Sequence, residues 1–239
     1  MKSYRDQYLE KGFCVLGDRD VNFIIEIAKD TLGCSDLSLA HDSIEVNTLN
    51  FKRLELSKEL SSLDIKRKIF ELLKSEITNL AGSELSVQRN TNVTLHFPDL
   101  ENNITPFHSD VLCGNSPYEV VVWIPLCDTS KTQSMYLFDK DVTKNIINEI
   151  SEKSTRLKLI EKYKDQKEYM NLKKGEVLIF SPTLIHGSEV NLEKISRVSL
   201  NLRFKNLHSP CLIKKDGEYF EDLTPSIQTI IAREYENDF

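Results

Sequence analysis

The chain has 239 residues, of which 40% are hydrophobic and 28% charged, with a formal net charge of −6. A chain of this length supports one sizeable core, and all-β barrels and compact α+β folds both reach it as single domains, so residues 1–239 read as one domain. The acidic balance argues against nucleic acid, whose phosphates call for a basic face, and points to a small-molecule partner.

Five cysteines at irregular spacings, without a C-x-x-C pair, suggest neither a disulfide framework nor a zinc site. The opening MKSYRDQYLEKGF is charged and lacks the apolar run of a signal peptide. Nowhere does an apolar run approach the roughly 18 residues of a membrane span, so a cytoplasmic protein is expected.

In chain order, residues 1–82 read as mainly helical support. From Val21, the residues Ile24, Ile25, Ala28 and Leu32 fall at helical spacing, with Asp18 or Asp20 as N-cap and Gly33 beyond the end. A second stripe, Ile65, Ile69, Leu72, Leu73, Ile77 and Leu80, predicts a helix over 63–80 closed by Gly82. After Gly82 the period becomes two, and the segment 87–97 places Gln88, Asn90, Asn92, Thr94 and His96 on one face. The continuous apolar run 119–126 suits a strand buried on both sides, and 133–138 reads as a short strand. A charged stretch over 141–167 predicts an inserted helical element, with Ile146, Ile147, Ile150, Leu157 and Ile160 available to pack on the body. It could serve as a lid, a dimer contact or a brace. Strands follow over 176–180 and 195–205, and Thr224-Pro225 predicts the start of a last short helix.

The resulting class is mainly β with flanking helices. Residues 83–207 would form a double-stranded β-helix, a barrel of the jelly-roll or cupin type, and 208–239 a C-terminal extension.

Pro106-Phe107-His108-Ser109-Asp110 follows one predicted strand, and His186 lies beyond a later one. Two imidazoles and one carboxylate on one face of an octahedron leave three positions open, as a non-haem Fe(II) oxygenase requires for a bidentate co-substrate and O2. H-x-D alone is a weak signal. The strand after His186 adds to it: Val198, Leu200, Leu202 and Phe204 form one face, and Arg197, Ser199, Asn201, Arg203 and Lys205 the other. Such a polar face either meets water or lines a barrel's mouth, where a guanidinium can grip a carboxylate with two parallel hydrogen bonds.

Several segments resemble the phytanoyl-CoA dioxygenase-like branch of the 2-oxoglutarate dioxygenases, which includes the ectoine hydroxylases. They are the opening YLEKGFCVL, the H-S-D triplet and GEVLIFSPTLIHGSEVNLEKISRVSLNLRF, residues 175–204. The resemblance implies that His108, Asp110 and His186 hold Fe(II), and that Arg197, assisted by Ser188, binds the distal carboxylate of 2-oxoglutarate. Gln88, Asn90 and Asn92 fall on the strand where relatives make further co-substrate contacts. Relatives that halogenate lack the carboxylate ligand, so Asp110 implies hydroxylation, or a related desaturation or epimerisation. The chain departs from relatives at Gln133-Ser134, where they commonly have Asn-Gly, and in the helical stretch that follows. The run PFHSDVLCGNSPYEVVVWIPLCDTSKTQSMYLFD is similar to a bacterial subgroup encoded in surface-carbohydrate clusters, which implies a small polar, sugar-linked substrate.

Two other classes remain open on the sequence. A cupin-type metal-dependent isomerase or hydrolase could use the same ligands without needing Arg197 and Ser188, and a non-catalytic sugar-binding barrel would need no metal. Trp123 reads as core, His96 and His208 as structural or surface histidines, and nothing indicates an oligomeric state.

Overall fold

The computed structural model describes residues 2–151 and 156–236. Ten strands carry it: β1 Phe13–Leu16, β2 Leu85–Gln88, β3 Asn92–His96, β4 Glu119–Pro125, β5 Tyr136–Leu137, β6 Glu168–Tyr169, β7 Val177–Phe180, β8 His186–Gly187, β9 Arg197–Asn206 and β10 Phe220–Asp222. Seven form an antiparallel sheet in the order β1-β7-β4-β9-β2-β10, with β3 also pairing with β9. A smaller sheet runs β6-β5-β8.

Alternation along the strands sorts side chains into layers. On the outer face of the large sheet, Val120, Val122 and Ile124 of β4 and Val198, Leu200, Leu202 and Phe204 of β9 join Ile24, Ile25, Leu56, Leu60, Ile69 and Ile77 from the N-terminal helices. Each such buried side chain contributes roughly 1.5–3 kcal/mol. On the inner face, Val121, Trp123, Leu178 and Phe180 meet Leu137 of the small sheet and Met135 just before it. Behind the small sheet, Phe107, Phe138 and Ile185 pack against Ile146, Leu159 and Tyr163. The helices Lys140–Ser151 and Arg156–Tyr163 therefore back the sheet that carries His186. Ile147 and Ile150 stay exposed, while residues 152–155 and the Leu157 side chain lie outside the described residues.

Several expected elements take a different form. The helix foreseen over 63–80 breaks at Leu73 (φ −120°, ψ 18°) into Ile65–Leu72 and Lys74–Ala81, a bend that keeps both Leu73 and Ile77 fully buried against one sheet. The strand foreseen over 87–97 is two strands. β2 and β3 pair with successive lengths of β9, and a turn closed by the Gln88 amide on the Asn90 carbonyl (2.8 Å) separates them. The strand over 133–138 shrinks to β5 because Ser130 and Gln133 form a reciprocally capped turn. The last helix, Ile227–Glu236, takes its side-chain cap from Ser226 (3.2 Å to the Thr229 N–H), since Thr224 is engaged with the Leu85 N–H. Helix Leu49–Ser62 falls in the stretch expected to be mainly helical but was not foreseen as an element of its own. No described helix is long and apolar enough to cross a membrane.

Phe204 is fully buried beside Phe70, with ring centroids 6.4 Å apart, so the layer between sheet and helices depends on it. Phe204→Ala is expected to lower unfolding free energy by about 3–5 kcal/mol in denaturant titration, while Ile227→Ala on the exposed helix changes it by less than about 0.5 kcal/mol. Equal effects would show that this layer is not the core.

Candidate active site

Backbone pairing places the two histidines. His108 and His186 face each other across an antiparallel bridge and exchange both N–H···O bonds, at 3.0 and 2.8 Å. Directly opposed residues project to the same face, and the ring centroids stand 4.3 Å apart. Each Nδ1 hydrogen-bonds the carbonyl two residues earlier, His108 to Pro106 (2.6 Å) and His186 to Leu184 (3.0 Å). With Nδ1 donating in both rings, both Nε2 atoms keep a lone pair for a cation. Burial first, then the neighbouring His108 and Arg203, lowers His186 to about 4 against the pull of Asp110, so the ring is neutral.

Gly187 lets this pairing close. A Cβ there would meet the Thr105 carbonyl and the Tyr136 hydroxyl at 2.9 Å each. The neighbouring Ser188 accepts from the Thr105 N–H through its Oγ (2.7 Å), which leaves its own proton free to donate.

Asp110 lies at the start of a turn, with Oδ1 3.6 Å from His108 Nε2 and 2.7 Å from Arg203 Nη2. Burial pushes its carboxyl up, but the nearby His108 and the charge and hydrogen bond of Arg203 outweigh this and hold it well below the usual carboxylate range. Its Oδ2 is buried without a partner. The ligand atoms of His108, Asp110 and His186 lie within 4.8 Å of one another, the one such group among the described residues. Two imidazoles on one face and a carboxylate with an orphaned oxygen fit a divalent cation such as Fe(II).

Behind Asp110 lies a buried polar network. Arg203 on β9 also donates to Gln88 Oε1 (3.1 Å), and its Nε stands 3.8 Å from Glu119 Oε2. Glu119 is fixed by the Ser116 N–H (2.6 Å) and the Asn115 amide (2.8 Å), and burial raises its carboxyl.

Further along the polar face of β9 is Arg197, 3% exposed. Its Nη1 donates to the Gln133 carbonyl (2.9 Å), its guanidinium lies 5.9 Å from the Trp123 ring centre, and its buried Nε has no partner. Burial lowers it to about 10, so it stays protonated at neutral pH. Among the described residues no carboxylate pairs with it. The polar face of β9 is thus turned inward rather than into water.

His108, His186, Ser188, Arg197, Asn92 and Trp123 all line one cavity of about 270 Å³. Trp123 is both core and wall. Of the other residues singled out in the sequence, Gln88 sits behind Arg203 and Asn90 is exposed on the turn. His96 is fully buried and held near 4 by burial and by Arg197, with Nδ1 on the Gln133 carbonyl. Sequence reasoning gave no role to Arg203 or Glu119. Their signals were the shared parity of Arg203 with Arg197, and a lone acid heading the apolar run of β4.

No family model and no curated protein matches the sequence. Solved structures do. The nickel complex of the non-heme monooxygenase ThoJ is 13% identical with a TM-score of 0.60, covering 93% of this chain and 85% of that one. HygX from Streptomyces hygroscopicus, with nickel and 2-oxoglutarate bound, is 12% identical with a TM-score of 0.59 over 96% and 93%. EctD from S. alaskensis, with 2-oxoglutarate and 5-hydroxyectoine, is 13% identical with a TM-score of 0.58 over 88% and 78%. These likenesses establish the fold: an antiparallel, cupin-like β architecture with flanking helices.

Replacing Arg203 with Met would leave Asp110 and Glu119 buried without their cation. Denaturation of metal-free Arg203→Met should show a loss of about 3–5 kcal/mol, whereas a change below about 0.5 kcal/mol would mean the pair is not buried as described.

Proposed function

We propose that the chain is an Fe(II)- and 2-oxoglutarate-dependent dioxygenase that hydroxylates a small polar metabolite. The observation that carries this reading is Arg197, a buried cation without a carboxylate partner, in the same cavity as His108 and His186, the two histidines of a cluster that Asp110 completes from just behind the wall. A guanidinium in a low-dielectric wall is costly unless an anion meets it, and the free carboxylate of a keto-acid chelate would do so. HygX and EctD, which share the fold, hold 2-oxoglutarate.

In this reading His108, Asp110 and His186 hold the iron. Bound there, Fe(II) with 2-oxoglutarate and O2 supplies the oxidising power for hydroxylation, the co-substrate leaving as succinate and CO2. The chain's own residues orient the partners and exclude water. Arg197 and the Ser188 hydroxyl receive the distal carboxylate, and Trp123, Met135 and Phe180 supply the apolar part of the wall. Asn92 faces the same space, while Gln88 acts through Arg203 and Asn90 stands apart. Arg203 fixes Asp110 so that Oδ2 stays directed without a protein partner.

The resemblance of residues 175–204 supports placement in the phytanoyl-CoA dioxygenase-like branch. The run 106–139 supports the surface-carbohydrate subgroup and a sugar-linked substrate. The cupin-type isomerase or hydrolase is the second reading, favoured only by the ligand set, since it gives Arg197 no task.

Anaerobic protein loaded with Fe(II) and 2-oxoglutarate is expected to develop a weak visible charge-transfer band, abolished by His186→Ala. Tight metal binding without a band in the wild type would overturn the dioxygenase in favour of the isomerase or hydrolase.

A further inference from the structure

The charges lining the cavity bear on its substrate, given the iron and 2-oxoglutarate assignment above. The chain carries 37 acidic and 31 basic residues, yet the cavity wall holds three arginines, Arg53, Arg197 and Arg203, and no carboxylate. This is a local reversal of charge, of the kind that concentrates anions.

Two of the three have partners. Arg203 is engaged by Asp110 and Glu119, and Arg197 would meet the distal carboxylate of the co-substrate. With Asp110 and the chelating carboxylate set against the double charge of Fe(II), Glu119 remains as the counter-charge of Arg203. Arg53 alone is left without a counter-charge. It is half-buried, and its Nε and Nη2 donate to Asn50 Oδ1 at 3.1 and 3.0 Å. A neutral amide therefore steadies the guanidinium without neutralising it, and no carboxylate pairs with it among the described residues.

Arg53 lies on helix Leu49–Ser62, which is tied to the sheet where Ser57 Oγ donates to the Thr91 carbonyl (2.6 Å), next to β3. Asn92 begins β3 and is opposed in register by Asn201 of β9, and both side chains join Arg53 in the cavity lining. This end of the cavity combines one unpaired cation with neutral amide donors.

We infer that Arg53 is a substrate-recognition residue and that the substrate carries an oxyanion, a phosphate or a carboxylate, seated between Arg53 and the amides of Asn92 and Asn201. A guanidinium held by one neutral partner keeps N–H groups for such an oxyanion, and a charge-assisted pair in a partly buried wall is stronger than a neutral one.

The test is calorimetry on the anaerobic Fe(II)·2-oxoglutarate protein with glucose 1-phosphate, glucuronate and glucose as probes. One of the two anions should bind at least about tenfold more tightly than glucose, and which one does so identifies the oxyanion. Arg53→Ala should erase the preference, and Arg53→Lys should restore part of it. Equal binding of charged and neutral probes, no binding of either anion, or a preference that survives Arg53→Ala would overturn the inference. The charge-transfer band in the same samples separates the two claims. A missing band in the wild type removes the cofactor assignment and this inference with it, whereas a normal band with no Arg53-dependent preference removes the substrate class alone.

Discussion

Everything around the site depends on one constraint: β9 turns its polar face into the space between two sheets. Ser199 and Arg203 are buried along that face with Arg197, where charges interact strongly and unpaired ones are costly. Arg203 answers the constraint from within the chain, through Asp110, Gln88 and Glu119. Arg197 does not. It meets the Gln133 carbonyl and an indole face, and among the described residues no carboxylate balances its charge.

That division of labour links packing to chemistry. The apolar face of β9 holds the N-terminal helices, so its register cannot slip without exposing Val198, Leu200, Leu202 and Phe204 together. The same register fixes the heights of Arg203 and Arg197 along the cavity. Across from them, the direct pairing of His108 with His186 makes the placing of the two rings a property of backbone hydrogen bonds, and the cluster of Ile146, Leu159 and Tyr163 supports that sheet from behind. An element distant from the cavity thereby holds the two histidines in place.

Much of this was legible in the sequence wherever a period ran long enough. The ten residues of β9 displayed both faces, and the unbroken apolar run of β4 announced burial on both sides. Which way the polar face pointed was not legible, because alternation alone is the same for a wet and a buried polar face. Asn90 shows the opposite failure: counted by parity it shares a face with Asn92, but a turn between β2 and β3 resets the parity and leaves it exposed. Helix Leu49–Ser62 gave no signal because its apolar residues do not form one stripe. Leu49, Leu56 and Leu60 are buried while Phe51 and Leu54 are exposed, and Arg53 was hidden with it. Glu119 was masked by the apolar run it begins.

The most direct measurement of the central claim varies the ligand and the arginine together. Calorimetric binding of 2-oxoglutarate and of 2-oxopentanoate, which lacks the distal carboxylate, would be compared in anaerobic Fe(II)-loaded wild type and Arg197→Met. If Arg197 awaits that carboxylate, the wild type prefers 2-oxoglutarate by roughly ten- to a hundredfold and Arg197→Met binds the two alike. Equal binding by the wild type, or a preference that persists in Arg197→Met, would contradict it.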